Sequence, residues 1–338
     1  MNTMENITPT TEFLKDNISK CEDIKDLKET VFPMLETQKE QWMEKISGMI
    51  EQSRLSKTAF AKSCNVSRVA IDKWCKGAIP KNRETFLRIG LTARYDRKEL
   101  DRLLQRYGGY PALYPKTLED CICIFIINQN FVESWAEKYQ EILDKIKTGI
   151  LSGKSAPAND IDTVFIDNKL GDIQSEDELG KFIAENIAAF STAYNKFYAY
   201  VEMCIVANYQ GYADSVFELA EGQGWSSSLR QCVSAIRQKK WYPTRNKIIS
   251  LGLHLSMDHE QINELLQLAH MEPLCAKNIF ESVIMFILDD ASLNNILEKE
   301  DEEYDPDELC RYARDVLEEL ELPEIDVFIS ELPENEDE

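Results

Sequence analysis

The stretch FAKSCNVSRVAIDKWCKGAIP, residues Phe60 to Pro80, reads as two short helices joined by a tight turn. Two helices crossing steeply leave little room, and Ala61 supplies the small side chain the crossing needs. The turn requires a residue tolerant of positive φ; Asn65 is the next choice after glycine. Val66 plugs the corner, and Ser67 is placed to cap the second helix by accepting from its open backbone N–H groups. Ile71 and Trp74, three residues apart, share the inward face. Gly77 suits the helix end, and Pro80 opens a further helix expected over Lys81 to Leu91.

This stretch belongs to a chain of 338 residues with a formal net charge of -22, long enough for two or three domains. The charge is unevenly spread. From Glu51 to Tyr110 there are fourteen Lys and Arg against six Asp and Glu, and Trp225 to Met257 carries six basic residues and no acidic one. Ala291 to Glu338 holds three basic and nineteen acidic residues. A local field governs what binds locally, so the two basic islands count for more than the total. The nine cysteines are irregularly spaced and the start, MNTMENITPTTEFLKD, lacks the regions of a signal peptide, which together point to free thiols and a cytoplasmic protein. The longest apolar run, Cys121 to Ile127, falls far short of the roughly 20 residues that cross a bilayer.

Helical periodicity dominates the chain, so the expected fold class is mostly α. Helices are expected over Glu12 to Lys28 and Pro33 to Arg54, then in five short segments to about Tyr107, then over Thr117 to Gln129 and Phe131 to Leu151. Residues Ser152 to Asp177 read as a partly irregular linker, with Thr163 to Ile166 as a short strand. A long helix from Glu178 to Gln210 carries an aromatic ladder of Tyr194, Phe197, Tyr198 and Tyr200, and short helices follow to Asp290. One amphipathic helix, Pro306 to Glu321, lies in the acidic end. Sliding the chain by 162 positions lays Gly90 to Asn128 on Gly252 to Asp290 without a gap. Gly90 meets Gly252, Leu91 meets Leu253, Asp96 meets Asp258, Leu103-Leu104-Gln105 meets Leu265-Leu266-Gln267, and Pro111 meets Pro273. One unit therefore occurs twice, giving expected domains at 1–151, with the helix pair inside about 43–107, and at 178–290, with its second copy inside about 212–270. The linker is 152–177 and the acidic tail 291–338.

Through Ala61, Val66, Ser67, Ile71, Trp74, Gly77 and Pro80, and through Phe86, Leu87, Leu91, Leu100, Leu103 and Leu104 after them, the segment resembles the Cro/repressor-type (XRE-like) helix-turn-helix family. The resemblance implies two related lambda-repressor-like helical domains and double-stranded DNA as a partner. It implies that the second helix enters the major groove and presents Ser67, Arg68, Val69, Asp72 and Lys73 to base edges, Arg68 gripping guanine O6 and N7. Lys57, Lys62, Lys76, Lys81 and Arg83 would then lie where phosphates pass. In the second copy Val233 and Ile236 take the places of Ile71 and Trp74, which leaves Arg230 and Gln231 outward. Arg237, Lys239, Lys240 and Arg245 cluster after that helix, an arrangement suited to phosphate contact or to a purely structural role.

No catalytic chemistry is expected. Gly149 to Ser155 is one residue short of a phosphate-binding loop and follows a helix instead of a strand. His254, His259 and His270 lack metal-ligand spacing, and Cys121 and Cys123 read as small core hydrophobes. No nucleophile has a recognisable base, so no enzyme activity, cofactor, metal or small-molecule ligand is expected. The expected function is a DNA-binding transcriptional regulator, with an acidic tail that folds back on the basic islands and competes with phosphates. The alternative is a non-enzymatic adaptor that uses its helical domains to hold a protein partner in a regulatory or defence complex.

Overall fold

The computed structural model describes residues 9–129, 135–150, 162–186, 195–209, 213, 215–237, 244–294, 296–297, 305, 307–320 and 325–333, with the side chains of 38, 135–137, 147–150, 195 and 233–237 excepted. Among the described residues every regular element is helical. In chain order they are α1 (Thr11–Ile18), α2 (Ile24–Thr30), α3 (Gln38–Ser53), α4 (Lys57–Ser63), α5 (Arg68–Trp74), α6 (Arg83–Thr92), α7 (Arg97–Arg102), a π-helical turn (Leu103–Gly108), α8 (Leu118–Asn128) and α9 (Trp135–Ile150). There follow α10 (Thr163–Asp172), α11 (Glu176–Glu185), α12 (Asn195–Asn208), α13 (Val216–Gly222), α14 (Ser227–Arg237), α15 (Arg245–His254), α16 (His259–Leu268), α17 (Ile279–Leu293), α18 (Glu308–Glu318) and α19 (Asp326–Ile329). None is long and apolar enough to cross a membrane.

The chain divides into two compact units. The first holds 39–196 and 237–242, and therefore α3 to α11; the second holds 1–38, 197–236 and 243–338. Several elements start where the sequence supplies a capping side chain. Ser56, Ser67, Asn82 and Asp96 accept from the third N–H of α4, α5, α6 and α7, and Asp96 adds a full capping box with Glu99. Asn82 is why α6 begins at Arg83 and not at Lys81: its side-chain oxygen takes the Thr85 N–H at 2.9 Å. In the first unit, Trp42, Ile46 and Met49 of α3, Phe60 of α4, Ile71 of α5 and Phe86 of α6 are buried in one core with the apolar run of α8. Burial of each such side chain contributes about 1.5–3 kcal/mol before entropy is counted.

The repeat survives at atomic detail. Gly90 and Gly252 sit where a methyl group would collide with Leu100 and Ile262 respectively, so both units use a glycine to let successive helices touch. Arg83 is buried against Asp120, Nη1 to Oδ1 at 2.7 Å and Nη2 to Oδ2 at 3.0 Å, and Arg245, 162 positions later, is buried against Glu281 with Nη2 to Oε2 at 2.8 Å. The acid of the second pair lies one residue early and is one methylene longer. Both carboxylates also accept a backbone N–H, from Tyr114 and Cys275, at 2.9 and 2.7 Å. Both guanidinium groups reach a proline carbonyl, Pro111 or Pro273.

Several expectations need correction. Residues 162–177 are not irregular: Asp162 caps α10, and Thr163 to Ile166 is its first turn instead of a strand. Local β-branching suggested a strand, but Ile166 and Leu170, four apart, are both fully buried, and α10 packs on α8. The helix expected over Glu12 to Lys28 is broken at Asp23, which caps α2. Pro33 lies in a short 3-10 turn before α3. The helix expected over Glu178 to Gln210 is two described helices, α11 and α12; Tyr194 lies outside the described residues. The acidic end is no free tail where it is described. Leu309, Cys310, Ala313 and Leu317 of α18 and Phe328 of α19 are buried in the second unit, Phe328 edge-on to Phe280 at 4.9 Å.

These corrections expose a second repeat. Shifted by 152 positions, Thr11, Phe13, Leu14, Ile18, Leu27 and Val31 fall on Thr163, Phe165, Ile166, Leu170, Leu179 and Ile183. The N-caps Thr10 and Asp23 fall on the N-caps Asp162 and Ser175. Leu14, Ile18, Leu27 and Val31 are buried, as are their four counterparts, and the two phenylalanines are similarly exposed. The same helical hairpin occurs twice, α1–α2 packing with the second unit and α10–α11 with the first.

Candidate functional site

The turn between α4 and α5 has the geometry its residues predict. Asn65 adopts φ 53°, the Val66 N–H reaches back to the Ala61 carbonyl at 3.0 Å, and the Ser67 hydroxyl accepts the Ala70 N–H at 3.1 Å. Ala61, Ile71 and Trp74 are buried, which turns the opposite side of α5 outward. Ser67, Val69 and Lys73 are exposed there, Val69 at 62%. Arg68 and Asp72, one helical turn apart, form an ion pair, and Lys57 at the start of α4 stands 3.9 Å from the same carboxylate. Asp72 therefore faces two cations at once.

Lys62 on α4 and Lys76 and Lys81 on the loop after α5 are exposed, and Lys57 is half-exposed. Arg83 is not among them. Its guanidinium is buried against Asp120, because an arginine at the first turn of α6 points under the loop toward α8. The loop carrying Lys76 and Lys81 is fixed by contacts that local sequence does not reveal. Trp42 Nε1 of α3 donates to the Ala78 carbonyl at 2.9 Å, and the Tyr110 hydroxyl donates to the Lys81 carbonyl at 3.0 Å. Gly77, at φ 97°, has the Lys39 side chain against it, leaving no space for a Cβ.

The second helix pair, α13–α14, repeats the turn with changed side chains. Gly224 adopts φ 61°, the Trp225 N–H reaches the Ala220 carbonyl at 3.0 Å, and the Ser226 hydroxyl accepts the Leu229 N–H at 3.1 Å. Leu229 and Cys232 are the described inward side chains of α14, while those of Val233 and Ile236 lie outside the described residues. Arg230 and Gln231 are exposed as expected, and Arg230 Nε donates back to the Trp225 carbonyl at 2.8 Å. Lys239, Lys240 and the Arg237 side chain lie outside the described residues. Arg245, like Arg83, is removed from the surface, held by Glu281.

The histidines and thiols offer no reactive pair. His254 is buried edge-on to Trp225 with Nδ1 3.3 Å from Cys310 Sγ, and burial pushes its pKa down to about 3. Burial pushes the Cys310 thiol up, so both partners stay neutral near pH 7. No cluster among the described residues could hold a metal ion. Compared with known proteins, the chain matches no family model, no curated protein and no solved structure.

Proposed function

We propose that this chain is a cytoplasmic, non-enzymatic DNA-binding regulator that lays α5 in the major groove of a duplex. The observation that carries the reading is the bare outward side of α5. Ser67, Val69 and Lys73 are exposed opposite Ile71 and Trp74; Lys57 stands beside Asp72, and Lys62, Lys76 and Lys81, on α4 and the loop after α5, are exposed. Such a face offers apolar contact for a thymine methyl through Val69, base-edge hydrogen bonds through Arg68 and Ser67, and phosphate contacts through the lysines. In this reading the two units are related helix-turn-helix domains, and Arg83 and Arg245 serve the fold instead of the duplex.

The test is a selection of genomic fragments by the purified chain at moderate salt, repeated with Arg68→Ala and Lys73→Ala. Enrichment by the parent chain and its loss in both folded variants supports the reading; no enrichment by the parent chain rejects it. A second reading, an adaptor for a protein partner, is favoured by α12, whose outward Met203 and Val206 are 57% and 63% exposed. A helix apolar on both sides is ordinarily covered.

A further inference from the structure

The two helix pairs can be superposed on internal marks alone. The buried alanine (Ala61, Ala220), the left-handed turn residue (Asn65, Gly224) and the capping serine (Ser67, Ser226) all match at a shift of 159 positions. On that register Lys57 becomes Val216, Lys62 becomes Glu221, Arg68 becomes Ser227 and Lys73 becomes the buried Cys232. Each of these four cations is replaced by a neutral or acidic residue, Lys76 falls on Ala235, and of the six cations only Lys81 meets another, Lys240. On this register Arg230, and not Val233 as the sequence suggests, falls at the place of Ile71; Leu229 and Cys232 face inward instead, and the exposed Arg230 is drawn back to the Trp225 carbonyl. Phosphate contact supplies most of the salt-dependent affinity for DNA, and a glutamate in the path of the backbone opposes it.

Resting on the proposed reading of α5, we infer that one molecule engages one major-groove half-site, through α4–α5 alone, and that α13–α14 makes no duplex contact. The ligand is then a single short stretch of duplex, and a palindromic operator takes two molecules. Four lysines, Lys57, Lys62, Lys76 and Lys81, are left for phosphates. At about 0.9 per neutralised phosphate, the slope of log K against log salt should therefore lie between about -3 and -4.

The full chain is titrated against duplexes carrying one or two copies of the selected site, with the mass of the complex measured alongside affinity. The expected results are a one-to-one complex on the single site and a two-to-one complex on the doubled site. Lys62→Glu, which copies Glu221 onto the first pair, should weaken binding at least about tenfold. Arg230→Ala and Gln231→Ala should change it less than about twofold. One molecule protecting both sites, or Arg230→Ala weakening binding as much as Arg68→Ala, overturns the inference while leaving the reading of α5 intact. A parent chain that binds no duplex overturns both.

Discussion

Asp101 and Asn263 occupy the same place in the two copies and do the same work, accepting the N–H of Leu113 at 2.7 Å and of Leu274 at 2.8 Å. They differ in charge. Burial raises the Asp101 carboxyl to about 6, against the lowering effect of the donated N–H. The folded chain holds this proton more tightly than the unfolded one, so the contribution to stability is full below about pH 4 and is lost as the pH rises through about 6. Asp101→Asn should therefore stabilise the first unit by on the order of 1–2 kcal/mol at pH 7.5 and by about a third of that at pH 4.5. Urea unfolding at the two pH values checks this, and an equal effect at both contradicts it. On the outward face, Asp72 engages Arg68 and Lys57 and would repel phosphate. Asp72→Ala is expected to tighten binding to random duplex several-fold while reducing preference for the selected site, as read by anisotropy at two salt concentrations. Unchanged or weaker random-duplex binding counts against the proposed orientation. Asp72 was legible in the sequence as an outward acid; its pairing with Lys57 was not, because that contact joins different helices.

At the level of elements, the α4–α5 pair was readable because each of its requirements is local. A left-handed residue, a capping hydroxyl and two inward side chains all fall within ten positions, and Asn65, Ser67, Ile71 and Trp74 each do what their type predicts. Removing the cap with Ser67→Ala should cost about 1 kcal/mol, measured as a lower urea midpoint for the first unit. The buried arginines were misread for the complementary reason. Arg83 looks in sequence like one more member of a basic surface, yet the partner that buries it, Asp120, lies 37 residues away. Arg245→Met leaves Glu281 buried without its cation, and should destabilise the second unit by about 3–5 kcal/mol. Arg245→Met with Glu281→Gln should recover much of that loss; no recovery in a thermal melt would show that the arginine acts through its carbonyl contacts instead.

On the scale of the molecule, the two hairpins bind the chain into its units in an order that differs from the order of the sequence. The α1–α2 hairpin precedes the first helix pair but belongs with the second unit, where α1 packs on α17. Leu14→Asp places a charge on the buried side of α1, so hydrogen exchange should rise across α17 and stay unchanged across α8. Faster exchange in α8 alone would contradict the assignment. The sequence by itself determined that the chain is helical, that one segment occurs twice, and which residues make the α4–α5 turn, since these follow from periodicity, identity at fixed offset and local backbone chemistry. Only the tertiary structure decided that 163–177 of the expected linker is helical and belongs to a second repeat, that α18 and α19 of the acidic end are core, and that Arg83 and Arg245 are buried latches. The physical reason is common to all three. A slide of 162 positions finds one repeat and passes over the one at 152, and burial depends on partners distant in the chain that no local pattern can name.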